Sequence, residues 1–129
     1  MLILDKRLKR HLTMNKPDRR SLGIMAEDRA CTFLIAHGYA IVVRNYRYKR
    51  GEIDIIASNQ EVLVFVEVKY RSNLTYGNPE DFVSDNQKSR VIDAADNYLH
   101  SIQWEKNIRF DIIAIDSIGN LEHFTDAFY

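Results

Sequence analysis

The stretch Gly51-Glu52-Ile53-Asp54-Ile55-Ile56-Ala57, the polar run Ser58-Asn59-Gln60-Glu61, and Val62-Leu63-Val64-Phe65-Val66-Glu67-Val68-Lys69-Tyr70-Arg71 together decide how this chain folds. Two segments rich in β-branched residues flank a turn, which predicts an antiparallel hairpin with strands over 53–57 and 62–71. Side chains alternate across a strand, so Val62, Val64, Val66 and Val68 form one apolar face. The opposite face runs Leu63, Phe65, Glu67, Lys69, Arg71, beginning as core and ending as three charges. Alone, that pattern reads as a strand emerging into solvent with a surface ion pair. Asp54 changes the reading, because it sits inside an aliphatic run of the preceding strand. A two-residue loop puts Asp54 opposite Phe65 and a four-residue loop puts it opposite Glu67. In both registers Asp54, Glu67 and Lys69 share a face; a three-residue loop without a bulge would break this.

Working outward, Leu22, Ala26, Ala30, Phe33 and Leu34 recur at helical spacing from Ser21, and Gly38 closes the pattern. Glu27 precedes Ala30 by three positions and Leu34 by seven, so it lies on or beside the buried stripe and is able to face the sheet. Residues 39–46 read as a strand and 47–51 as a basic turn. Past the hairpin, 72–81 with Asn73, Gly77, Asn78 and Pro79 is a loop. A second helix is expected over 85–102, with a stripe of Val91, Ile92, Ala95, Tyr98, Leu99 and Ile102. Strands over 109–116 and, short, 121–124 complete the order αβββαβ(β). That order gives an α/β fold with a mixed central sheet flanked by helices.

Glu27, Asp54, Glu67 and Lys69 make a site with net negative charge at a strand end. Carboxylates this close either raise a pKa or recruit a cation. An all-oxygen donor set suits Mg²⁺ or Mn²⁺ rather than zinc. Beside such an ion, Lys69 would orient a water or neutralise charge building on a phosphoryl group. Cation, held water and a positive group are the minimum for hydrolysing a phosphodiester.

Asp54 followed by Glu67-Val68-Lys69 on the next strand resembles the PD-(D/E)xK nuclease signature of restriction-endonuclease-like folds. The wider string is more specific: Glu27, Gly38-Tyr39, Arg44-Asn45, Gly51 to Ala57, Phe65 to Arg71, Lys88, Arg109-Phe110-Asp111 and Ala127-Phe128. It resembles the YraN-like family of bacterial predicted endonucleases over about residues 21–129, departing at Ala26, where a glycine is expected. The resemblance implies a restriction-endonuclease-like αβββαβ core. It also implies Glu27, Asp54 and Glu67 as metal ligands, Lys69 as the catalytic lysine, and an endonuclease using Mg²⁺ or Mn²⁺ on DNA, selective for branched or damaged structure. The alternative is a non-catalytic nucleic-acid-binding or assembly module on the same fold. Cutting both strands would suit a homodimer.

Arg44-Asn45-Tyr46-Arg47-Tyr48-Lys49-Arg50 packs four positive charges and two tyrosines just before Asp54. It reads as a phosphate-contacting edge through Arg44, Arg47, Lys49 and Arg50, with tyrosines to stack on unpaired bases. Arg71, two residues past Lys69, and Lys88, on the second helix, are further phosphate candidates. Asp111 is expected to pair with Arg109 or Arg90, and Cys31 to be a small core residue.

The 129 residues suit one core, and 46% apolar with 28% charged residues exclude wholesale disorder. One cysteine excludes an internal disulfide, and a reducing, cytoplasmic setting is expected. The longest apolar run, Val62 to Val66, is far below the ~20 residues a membrane span requires. Eighteen basic residues balance eighteen acidic ones, which argues against broad coating of nucleic acid. The balance is uneven along the chain. Residues 1–20, a basic N-terminal extension read as frayed, carry Lys6, Arg7, Lys9, Arg10, Lys16, Arg19 and Arg20 against Asp5 and Asp18. The domain over 21–129 is correspondingly acidic.

Overall fold

A computed structural model of the chain describes residues 17–72, 74, 78 and 81–128. All but the last four residues of the basic extension, and most of the loop between the hairpin and the second helix, lie outside the described residues.

Helix α1 (Arg19–Ala36) starts two residues ahead of the apolar pattern, because Asp18 caps it: its Oδ1 accepts the Ser21 N–H at 2.8 Å. The helix stops at His37, where Gly38 takes a left-handed φ of +91°. Tyr39 N–H then reaches back to the Leu34 carbonyl at 3.0 Å and Gly38 N–H to that of Ile35 at 3.1 Å. Strands β1 (Ala40–Tyr48), β2 (Gly51–Ser58) and β3 (Val62–Arg71) follow, then α2 (Asp85–Ile102), β4 (Asn107–Asp116) and β5 (Leu121–Phe124). Ser84 caps α2 by accepting the Gln87 N–H at 3.2 Å. The five strands form one sheet in chain order, antiparallel except for the parallel β3–β4 pair that α2 connects. The expected mixed α/β architecture is the observed one.

The two faces of β3 part as their alternation requires. Val64 and Val66 pack with Ala26, Ala30 and Leu34 of α1, together with Cys31. Leu63 and Phe65 pack with Val91, Ala94, Ala95 and Tyr98 of α2. Ile92 and Ile102, placed in the buried stripe by sequence, are instead 40% and 41% exposed, and Ala94 takes the inward position.

β2 runs one residue further than expected, to Ser58, so the β2–β3 turn starts at Asn59 and the register is that of the four-residue loop. Asn59 N–H donates to the Val62 carbonyl at 3.1 Å, and Asn59 Oδ1 accepts from Glu61 and Val62 N–H, each at 2.9 Å. This sets Ser58 opposite Leu63, and the ladder runs to Ile55 opposite Val66. The next pair in that register is Asp54 and Glu67, and there the ladder ends.

The sheet is also irregular at this level on its other side. Ile53 and Ile56 both pack under α2 while Ile55 and Ala57 pack under α1, so strict alternation along β2 slips at Asp54. Across on β1, between the pairs Arg44–Ile55 and Tyr46–Ile53, Asn45 adopts a left-handed φ of 55°. Asparagine is among the few residues that tolerate that conformation. The break leaves a gap between β2 and β3 at the end of the sheet nearest the starts of both helices.

Candidate active site

That gap is a cleft of about 610 Å³. Glu27 and Ala26 line it from α1, Glu52 and Asp54 from β2, Glu67 and Lys69 from β3, and Gln87 and Arg90 from α2. All four residues singled out at the strand end therefore border one space, but from different layers. Glu67 and Lys69 lie on the α2 face of β3, whereas Glu27 enters from α1 on the opposite face. Among the described residues, no three His, Cys, Asp or Glu side chains converge closely enough to hold an ion as a set.

Asp54 turns into the gap, where its Oδ2 accepts the Val68 N–H at 2.8 Å in place of a ladder bond. Burial raises its carboxyl to about 6; the Val68 N–H and Lys69 pull it down, while Glu27 and Glu52 push it up. Glu67 is only 2% exposed. Burial first, and then the Asp54 charge, push its carboxyl well above the ordinary range, against the opposing pull of Lys69.

The polar partners of Glu67 are few. Lys69 Nζ can only donate, and it donates to Gln87 Oε1 at 3.1 Å. Gln87 then presents its Nε2 to Glu67 Oε2 at 3.0 Å. Glu67 Oε1 is buried with no hydrogen-bond partner among the described residues. An orphaned buried carboxylate oxygen beside a second carboxylate fits a hard divalent cation, which would supply the missing partner. Glu67 and Asp54 would be the pair to hold one. Glu27 is held toward the rim by Arg44, 3.6 Å away, which bonds Asp28 more closely at 2.8 Å.

The basic residues scatter. Arg50 borders the cleft, and so does Arg90, which sequence reasoning had offered to Asp111. Arg44 is committed to the α1 acids, and Arg47 lies 3.7 Å from Glu52 on the surface. Lys49 turns over the Tyr48 ring at 5.3 Å, while Arg71 bonds the Tyr70 carbonyl and covers Phe82. Lys88 does not border the cleft; its neighbour Gln87 does. The tyrosines are not free platforms for bases. Tyr46 donates its hydroxyl to Asn97 and packs edge-on against Tyr98, and Tyr48 packs on the core beneath α2.

Gly51 sets the spacing between β2 and α2 at the cleft wall. A β-carbon there would fall 2.3 Å from the Arg90 carbonyl oxygen, closer than any real contact.

Asp111 belongs to a separate polar cluster. It is fully buried, and Arg109 grips it through Nε and Nη2, both at 2.8 Å, as expected from sequence. His123 Nε2 at 2.8 Å and the Asp126 N–H at 2.9 Å complete its shell, and Arg109 also donates to the Tyr39 hydroxyl.

Gln87 and Arg90 were not anticipated as site residues. The signal for Gln87 was its place four residues before Val91, in phase with the buried stripe.

The sequence model described as "Uncharacterised protein family UPF0102" matches residues 26–115, which include every residue named above as bordering the cleft. A UPF0102 protein of Chlorobium phaeobacteroides is 44% identical over 121 residues, covering 86% of this chain and 95% of the relative. One from Cytophaga hutchinsonii is 42% identical over 105 residues, covering 81% and 93%. A third, from Flavobacterium johnsoniae, is 40% identical over 119 residues, covering 87% and 97%. No helix among the described residues is long and apolar enough to cross a membrane.

Proposed function

The chain belongs to the UPF0102 family, and we propose that it acts there as a divalent-metal-dependent endonuclease hydrolysing phosphodiester bonds of DNA. The observation that carries this reading is the buried, unpartnered Glu67 Oε1, set beside Asp54 and two residues from the lysine that faces the same cleft. Such an arrangement costs stability and has no structural use, which is how functional sites depart from the rest of a fold. Asp54 and Glu67 would hold Mg²⁺ or Mn²⁺, with Glu27 and Glu52 the other carboxylates bordering the cleft. The ion would polarise the phosphoryl group and lower the pKa of an attacking water. Lys69, anchored by Gln87, stabilises negative charge on the phosphoryl oxygens as it builds. Arg50 and Arg90 on the rim hold the strand by its phosphates. Zero net charge with a local positive rim suits a nuclease that selects structure, such as a branch or a damaged site, over one that coats DNA.

The purified protein, with Mg²⁺ or Mn²⁺, is expected to cleave at least one of duplex, flap, four-way junction or single strand, and to lose that activity on Asp54→Ala or Lys69→Ala. Cleavage surviving both substitutions refutes the site, and absence of cleavage on all four refutes the enzyme. The distribution of the three acids over two layers favours a second reading, a nucleic-acid-binding module without chemistry. Salt-dependent DNA binding that needs no metal and is unchanged by Glu67→Gln would support it.

A further inference from the structure

We propose that Gln87 is the positioning residue of this site: its amide stands between Glu67 and Lys69 and keeps the carboxylate and the ammonium from pairing directly. The inference rests on the metal-site reading above and extends it to a residue outside the acid–lysine set. One amide serves both partners, accepting from Lys69 Nζ at 3.1 Å and donating to Glu67 Oε2 at 3.0 Å. No ion pair within 4.0 Å joins Lys69 to any carboxylate among the described residues, although four acids, Glu27, Glu52, Asp54 and Glu67, border its cleft.

The arrangement has two consequences. Glu67 is fixed through Oε2, which also sets the orientation of the buried, unpartnered Oε1. Lys69 is fixed without spending its charge on Glu67, so both signs stay available a short distance apart. Without the amide, an ammonium and a carboxylate on the same strand face, two residues apart, are free to collapse into a salt bridge, which takes the carboxylate away from a cation. Gln87 is itself placed by the α2 cap, since its backbone N–H is the donor that Ser84 Oγ accepts. Side chain and main chain of one residue thus tie the helix start to the site.

Gln87→Met keeps the side-chain length and removes both hydrogen bonds. Mn²⁺ binding by calorimetry is expected to weaken about 10–100-fold relative to the unmodified protein, the usual effect of losing a group that orients a ligand. Ser89→Ala, on the exposed side of the same helix, should leave it unchanged. Crystal structures of the protein and the variant, both without metal, should show Lys69 Nζ moving to within 4 Å of the Glu67 carboxylate only in the variant. Thermal unfolding checks that the variant folds, and Gln87→Leu repeats the test if it does not. Unchanged Mn²⁺ affinity, or Glu67 and Lys69 keeping their places, overturns the proposal. If the unmodified protein binds no Mn²⁺, the metal-dependent reading fails, and the crystal comparison alone decides the role of Gln87.

Discussion

Asp54→Asn removes a charge from a place where the fold resists it, so the variant should be more stable than the parent at neutral pH. Burial holds the Asp54 carboxyl at about 6 in the folded protein against 3.8 ordinarily, so between those values the native state keeps a proton that the unfolded chain has released. Stability then falls as pH rises through that window and levels off above it. For this group alone the cost is small at pH 4 and grows to on the order of 3 kcal/mol at pH 7. Asparagine keeps an oxygen for the Val68 N–H and carries no such slope. It also removes the like charge that helps raise Glu67, which adds to the gain in the same direction. Urea unfolding of both proteins in EDTA at pH 5 and pH 7.5 should show the variant's advantage growing with pH, by on the order of 1 kcal/mol. Mn²⁺ at a hundred times its Kd should then return about 2.7 kcal/mol to the parent and nothing to the variant. An advantage that does not change with pH, or a variant less stable at pH 7.5, would falsify the account of Asp54 as a desolvated acid.

Asp111 should behave in the opposite sense. Burial pushes its carboxyl up, but hydrogen bonds from His123, Arg109 and the Asp126 N–H more than offset this and hold it below the ordinary value, so its contribution is lost as pH falls through the acid range. Asp111→Ala, which strands Arg109 and His123, should cost about 3–5 kcal/mol by urea unfolding, with little dependence on divalent metal. Leu34→Ala, at a fully buried position against β3, should cost about 2–5 kcal/mol in the same assay. Arg50→Ala combined with Arg90→Ala should lower the slope of log affinity for DNA against log salt by up to about 2. Tyr46→Phe should leave DNA affinity unchanged while costing about 1 kcal/mol of stability, through its lost bond to Asn97.

What the sequence allowed depended on how local each determinant was. The limits of β3 and the division of its faces followed from strict alternation over ten residues, and they are as expected. The start of α1 was misplaced by two residues because the apolar stripe begins after the capping Asp18 rather than at it. Glu27 was legible as a residue beside a buried stripe, but helical period does not say which face of a sheet a helix covers. That is why the three acids share a cleft without forming one cluster. Lys88 and Gln87 are both compatible with the phase of the second helix, three and four residues before Val91, and only the packed helix selects Gln87. The tyrosines of β1 were offered to bases because composition carries no information about Asn97 and Tyr98, about fifty residues away, which occupy Tyr46.

The contact at Gly51 makes the cleft a fixed gauge. One wall carries Asp54 and the other Gln87 and Arg90, and the two meet where the Gly51 backbone stands against the Arg90 carbonyl. The separation of the walls is therefore set by main chain touching main chain, outside the group of side chains that would do the chemistry. Side chains within the cleft set its charge and lining, while this backbone contact fixes how near β2 and α2 approach at Gly51. Under the proposed function, a duplex too thick for the gap would have to be unpaired or bent before it entered, and selection would be by shape before any base was read.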